Sequence, residues 1–436
     1  MFLQNAIQKR IDDKNPVKVA LIGAGKFGSM FLSQVPSTKG IEVLVIADLK
    51  PDNAIKACKN VGWSDDLINK TKFVDTGADA IKLNEVEVVI EATGFPAAGI
   101  EHARQAFQNG KHIIMVNVEA DVLAGAALAK EANSVGVVYS MAYGDQPALT
   151  AEIVEWARAS GFNVTSAGKG TRYQPIYHKS SPDTVWDYYG LTHEEARKAG
   201  MNPKMFNSFL DGTKSGLEMA AIANACDLEV PTNGLLFPPC GMDDLANILK
   251  PLEFGGLLEK NGQVEVVSSL ERDGRPVFKD LRWGVYAVLE APNDYAASCF
   301  KQYGMNTDDT GKYSAMYKPF HLIGMELNIS VFSAALLNQA TGQTKKFTGD
   351  VVSTTKKNLK KSEILDGEGG ATVWGKLVPS KLSLSMEALP IGLAHGIKLK
   401  NEIEENKIIT WNDVDFSSND PAISYRRKME KDFKKS

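Results

Sequence analysis

Several classes of protein are excluded by what this sequence has little of. Its four cysteines (Cys58, Cys226, Cys240, Cys299) lie far apart and never form CxxC. That argues against a disulfide framework and against a structural zinc site, and it fits a reducing compartment. Its six histidines make no HxxH or HExxH, so no tight zinc centre is expected. No apolar run reaches the length of about eighteen residues that a membrane helix needs. The opening MFLQNAIQKRIDDKN lacks the long apolar core of a signal peptide, so a cytoplasmic protein is expected. Basic and acidic residues nearly balance, 49 against 53, for a net charge of −4. Neither nucleic acid nor an anionic membrane is implied as a partner.

What is present is an ordinary globular composition, 44% apolar and 23% charged, in a chain of 436 residues. That length predicts two or three domains. A short helical arm over 1–16 carries Leu3, Ile7 and Ile11 at helical spacing. From 17 to 148 buried apolar runs (VKVALIG, IEVLVIAD, VEVVIEATG, KHIIMVN, VVYSM) alternate with helical stretches. This rhythm predicts an α/β doubly wound parallel sheet of the Rossmann type. Residues 149–345 lose the alternation and read as an α+β substrate and dimerisation domain. Residues 346–416 read as a small β-rich unit. The basic tail 417–436 has Tyr425, Met429 and Phe433 at i, i+4, i+8, a surface helix packing one stripe.

Gly23, Gly25 and Gly28 form GxGxxG between the first strand and a helix. Gly23 permits the tight turn, Gly25 the approach of a pyrophosphate, and Gly28 close helix–strand packing. The phosphates would meet free N–H groups at the helix N-terminus. Asp48, at the end of the second strand, is placed to bond the adenine ribose and favours NAD. Lys50, two residues on, could instead pair with the extra phosphate of NADP, so both cofactors stay open. Lys26 and Phe27 in the turn, Thr93 and Gly94 in EATG, and Asn117 and Glu119 in NVE complete the expected cofactor set.

In FLDGTKSGLEMAA, Asp211, Lys214 and Glu218 fall at i, i+3 and i+7. A single helix would present them on one face. Carbonyl reduction needs a proton donor beside the reacting oxygen and a cation for developing charge, and Lys214 can do both. A plain intrahelical ion pair is the bland alternative, but small and apolar neighbours make an exposed helix a poor fit. In AGKGTRY, Lys169, Arg172 and Tyr173 sit beside glycines, a pattern suited to a substrate phosphate or carboxylate or simply to a solvated basic loop. His321 is assigned to substrate binding, with a helix cap as the bland alternative. No structural metal is expected. Asp211 and Glu218 could supply oxygen ligands to Mg²⁺ or Mn²⁺ if a skeletal rearrangement required one.

The stretch EATGFPAAGIEHARQAFQNGKHIIMVNVEAD resembles the cofactor domain of homoserine dehydrogenase. At the position of that family's catalytic lysine this chain has Ala120, which counts against homoserine as substrate. GDQP, AGKGTRY, FLDGTKSGLEMAAIANA, YKPFHLIGMELNISV and LDGEGGATVWGKL resemble the DRL family, reductoisomerase-like enzymes of the homoserine dehydrogenase superfamily. The resemblance covers nearly the whole chain and includes a SAF-like unit over 346–416. It implies NADPH-dependent conversion of deoxyxylulose phosphate to methylerythritol phosphate, a reaction of isoprenoid biosynthesis, in a homo-oligomer (dimer or tetramer). Two other functions compete with it. One is a dehydrogenase of a sugar acid, polyol or homoserine-like compound. The other is an NAD(P)-sensing regulator without turnover, which would lack an enclosed charged site.

Overall fold

A computed structural model describes residues 3–434. The chain forms two compact units. The first runs to Glu152 and takes in His321–Lys345; the second comprises Ile153–Phe320 and the residues from Lys346 on. The segment 321–345, read from sequence as part of the substrate domain, thus belongs to the first unit.

The first unit is built on six strands: β1 (Val17–Ile22), β2 (Ile41–Ala47), β3 (Lys72–Val74), β4 (Val88–Glu91), β5 (His112–Met115) and β6 (Tyr139–Met141). Their order is β3-β2-β1-β4-β5-β6, and every pairing is parallel. This is the order of the Rossmann fold, whose ligands bind at the carboxyl ends of the strands. Every residue of β4 is buried, as continuous β-branched runs require when helices cover both sheet faces. The returning helix Asn328–Leu337 packs on this sheet, placing Val331, Phe332 and Ala334 in its core.

The helix Val118–Ser134 follows β5 and carries a buried acid, Asp121. Its carboxylate accepts from the Tyr139 hydroxyl at 2.8 Å and from the Thr344 hydroxyl at 2.9 Å. Burial pushes Asp121 up to about 6 from the ordinary 3.8, against the opposing pull of those two hydroxyls. The folded chain therefore keeps a proton that the unfolded chain has already released. Stability from this group is full below about pH 4 and falls as pH rises to about 6, by roughly 3 kcal/mol. Asp121→Asn keeps an acceptor for Tyr139 and cannot titrate. Urea unfolding between pH 4 and 7 should show a decline in wild type that flattens in the variant. An unchanged slope in the variant would assign the decline to other groups.

The second unit holds a mixed sheet of β7 (Asn163–Thr171), β8 (Gln263–Ser268), β9 (Val285–Glu290) and β10 (Tyr313–Lys318), in the order β10-β9-β7-β8. Beyond it lie β11 (Gly349–Thr355), β12 (Ile364–Asp366), β13 (Val373–Pro379), β14 (His395–Leu399) and β15 (Val414–Asp415). β11 pairs antiparallel with β13, and β12, β14 and β15 form a small third sheet. The helix Thr213–Cys226 packs on β7 and β8 and also on β11 and β13. Layers on two sides explain why its residues from Ser215 to Cys226 are all buried. The glycines make that closeness possible. A Cβ on Gly375 would lie 2.8 Å from Thr213 Cγ2 and 2.7 Å from Val351 Cγ1.

The basic tail is more than a surface stripe. In the helix Pro421–Lys434, Arg426 is fully buried, bonding Asp350 at 2.5 Å and Glu430 at 2.9 Å. Arg426→Met strands Asp350 without its cation and should cost about 3–5 kcal/mol. Chemical denaturation reads this directly, and a loss under about 1 kcal/mol would contradict it. Among the described residues no helix is long and apolar enough to cross a membrane.

Candidate active site

The glycine turn follows β1. Gly23 has φ 97°, and a Cβ there would sit 2.8 Å from the Ala92 carbonyl oxygen. A Cβ on Gly28 would lie 2.2 Å from the Gly23 oxygen, whereas one on Gly25 would meet nothing within 4 Å. Gly23 and Gly28 are therefore needed by the fold, and Gly25 faces open space. Gly25 is also the N-cap of the helix Lys26–Gln34 and offers no side-chain cap, so the first-turn N–H groups stay available to an anion. Asp48 braces the same turn: its carboxylate accepts from Ala24 N at 3.2 Å and from Lys50 N at 3.1 Å. These features fit a dinucleotide pyrophosphate.

The other expected cofactor residues divide. Lys26 and Lys50 are exposed, while Phe27 packs against the first unit's core. Gly94 is open, with φ 68°. Thr93 is tied to Glu91, its N–H donating at 3.3 Å and its hydroxyl also bonding that carboxylate. Asn117 is spent on structure, since its side chain accepts from Ala120 N at 3.1 Å and donates to the Phe95 carbonyl at 3.0 Å. Glu119 stands in the first turn of the helix that Asn117 caps. Ala120 is fully buried, and a Cβ on Gly99 would come 2.7 Å from its own. A lysine does not fit that position, which agrees with the departure from homoserine dehydrogenase noted in the sequence.

In the second unit the acid–base–acid face is not one helix. A helix Pro203–Leu210 ends at Asp211, Gly212 turns the chain at φ 90°, and a new helix starts at Thr213. Asp211 therefore leaves the face shared by Lys214 and Glu218. Its carboxylate caps the new helix through Thr213 N at 2.9 Å and pairs with the buried Lys356 at 2.7 Å. The Lys356 ammonium also donates to the Ser180 and Gly370 carbonyls, both at 2.7 Å. Lys214 lies half-buried in the first turn.

Glu218 reaches β7 and forms a buried ion pair with Lys169. Two residues whose sequence motifs lie far apart are thus brought together. Arg172 follows on the same chain segment, and its buried Nε has no hydrogen-bond partner among the described residues. Tyr173 is buried, stacked on Phe237 at 4.0 Å, with its hydroxyl 3.0 Å from His178 Nε2. The other His178 nitrogen lies 2.7 Å from the Asp211 carbonyl. A carbonyl only accepts, so Nδ1 carries the hydrogen and Nε2 accepts from Tyr173. Burial lowers the His178 pKa, against the opposing effect of Asp211. His321 belongs to the first unit.

Asp211 and Glu218 are each neutralised by a lysine, a poor donor set for a divalent cation. Among the described residues no group of three or more His, Cys, Asp or Glu could hold a metal. Sequence reasoning ranked His178 below His321 as a candidate and missed Lys356 and Glu265. Glu265 is fully buried, and its carboxylate accepts from the N–H groups of Leu236, Phe237 and Val266. Burial pushes its pKa up to about 7, with those N–H groups opposing.

Residues 144–327 match the family model "Oxidoreductase DRL, catalytic domain", and residues 23–142 match "Homoserine dehydrogenase, NAD binding domain". No curated protein matches the chain. Among solved structures, a 3-ketoreductase from Actinomadura kijaniata in complex with NADP is 16% identical, with a TM-score of 0.26. That match covers 37% of this chain and 50% of the ketoreductase, so the chain spans about half its length. A homoserine dehydrogenase from Thiobacillus denitrificans is 14% identical over 78% of this chain and 83% of its own, with a TM-score of 0.43. Levoglucosan dehydrogenase, in complex with NADH and L-sorbose, is 15% identical over 69% and 66%, with a TM-score of 0.32. Likeness this distant carries no argument about substrate. The two family matches both describe oxidoreductase domains, one of them NAD-binding, and on them the chain is in class an NAD(P)-dependent oxidoreductase.

Proposed function

We propose that the chain reduces the carbonyl of a small phosphorylated or acidic sugar derivative, and that its specific reaction is the reductive isomerisation of deoxyxylulose phosphate to methylerythritol phosphate. The observation that carries this reading is the buried Lys169–Glu218 pair within the segment that matches the DRL catalytic domain. The isomerisation exchanges one carbon–carbon bond for another without redox change and leaves an aldehyde, to which a bound nicotinamide would supply the hydride. The carbonyl oxygen gains negative charge in that reduction, and a preorganised cation in a dry site stabilises it. Lys169 is that cation and donates the proton. Glu218 holds the ammonium in place. The buried Nε of Arg172 is suited to the substrate phosphate. Asp48 supports NAD and the DRL resemblance supports NADP, so both are offered to the enzyme. The SAF-like reading of 346–416 and a homo-oligomeric state belong to the same proposal.

The test supplies purified full-length chain with NADPH or NADH and deoxyxylulose phosphate, with and without Mg²⁺, and identifies the product by mass spectrometry. Methylerythritol phosphate formed in step with cofactor oxidation is expected. No oxidation of either cofactor would overturn the isomerase reading and turn the search to sugar acids and polyols.

A further inference from the structure

A cavity of about 210 Å³ lies within the second unit, lined by His178, Phe237, Trp374 and Lys376, by Asn233–Leu235, and by the glycines Gly212, Gly216 and Gly375. It is separate from the Lys169–Glu218 pair. Gly216 turns towards β13, where a Cβ would meet the Gly375 oxygen at 3.2 Å. Glu218, two residues on and so about 200° round the helix, turns towards β7.

The walls have a definite chemistry. Trp374 and Lys376 alternate with Gly375 and Leu377 along β13, which puts the indole and the ammonium on one face of the strand. No aspartate or glutamate lines the cavity. Asp211, whose carbonyl bonds the lining residue His178, has its carboxylate committed to Lys356. Lys376 makes no side-chain ion pair or hydrogen bond among the described residues. Its stem passes Gly234, where a Cβ would lie 3.1 Å from Lys376 Cε. An uncompensated cation on a recessed wall attracts an anion.

The site is also rigid before anything binds. The Trp374 ring stacks on His178 at 4.0 Å, and His178 is fixed at both nitrogens by Tyr173 and the Asp211 carbonyl. Phe237, also in the lining, adopts φ 50°, a conformation rarely taken by a side-chain-bearing residue. The Glu265 carboxylate holds that backbone through the Leu236 and Phe237 N–H groups. Backbone held in such a state by a dedicated buried group is a feature of ligand clamps. A rigid wall leaves little ordering to be done on binding.

We propose that this cavity is a second small-molecule site. It takes a polyol phosphate or carboxylate of three or four carbons, with the anion on Lys376 and a C–H face against Trp374. The volume is about seven waters at ~30 Å³ each, and it lies below the ~300 Å³ at which drug-sized pockets begin.

The proposal stands apart from the reductase reading, because its test contains no nicotinamide. Full-length chain is titrated calorimetrically with glycerol 3-phosphate, with glycerol as the neutral control. Glycerol 3-phosphate should bind and glycerol should not. Lys376→Met keeps the stem and should weaken binding about tenfold or more, with the melting temperature unchanged. Lys169→Met/Glu218→Leu, altered at the other face of the helix, should bind as wild type does. No binding to wild type, or equal binding by Lys376→Met, would overturn the proposal. If the Lys169/Glu218 variant alone loses binding, the anion occupies the catalytic site and the second site does not exist.

Discussion

Gly25→Val should abolish NAD(P)H binding and leave the melting temperature where it was. The separation follows from the turn's geometry. Nothing lies within 4 Å of a Cβ at Gly25, so the folded chain without cofactor has room for a side chain. The φ there is −70°, so an added side chain meets no left-handed backbone penalty. The space it would fill is that through which a pyrophosphate approaches the helix N-terminus. Gly28→Val is the contrasting control. Its Cβ would strike the Gly23 carbonyl at 2.2 Å, so this variant should lose stability as well as binding. Fluorescence titration with NADPH and thermal unfolding of the two variants together decide the matter. Undiminished binding by Gly25→Val would discredit the phosphate turn.

The second large effect concerns Lys169 and Glu218. Removing one partner of a buried pair leaves an uncompensated charge, so Lys169→Met alone should cost about 3–5 kcal/mol of stability. Its loss of turnover would therefore be ambiguous. Lys169→Met/Glu218→Leu replaces both charges with apolar groups of similar size, an exchange often near neutral for stability. The double variant should regain most of the stability and still turn over about 10²–10⁴-fold more slowly, the usual value of a positioned acid or base. Cofactor affinity should be unchanged. Turnover within a few fold of wild type would make the pair a structural tie between β7 and the helix.

The parts of the fold legible in the sequence are those set by local periodicity. VKVALI, IEVLVIA and VVIE are buried β-branched runs, and each became a strand of the parallel sheet. The sequence reading passed over residues 51–84, because β3 is three residues long with no buried position and its neighbouring helices are short. The break at Gly212 was read through. FLDGTKSGL keeps an acid, a base and an acid at helical spacing, and that periodicity outweighed the one local break signal, the turn-forming pair Asp211-Gly212. The partners of the two acids were hidden for another reason. Asp211 finds Lys356 across 145 residues, and Glu218 finds Lys169 from a different motif. Only the packing of one helix between two layers joins them. Arg426 was hidden for the same cause: the tail reads as a surface helix packing a stripe of Tyr425, Met429 and Phe433, and the acid that buries this arginine, Asp350, comes from another part of the chain.

The most direct test of the central claim follows the hydride itself. The full chain is incubated with deoxyxylulose phosphate and NADPH carrying deuterium at the transferable nicotinamide position, and separately with the equivalent NADH. Methylerythritol phosphate heavier by one deuterium is the predicted product. Cofactor that binds tightly while its deuterium never leaves the nicotinamide, with this substrate or with a panel of sugar acids and polyols, would contradict the account and make the chain a sensor of NAD(P).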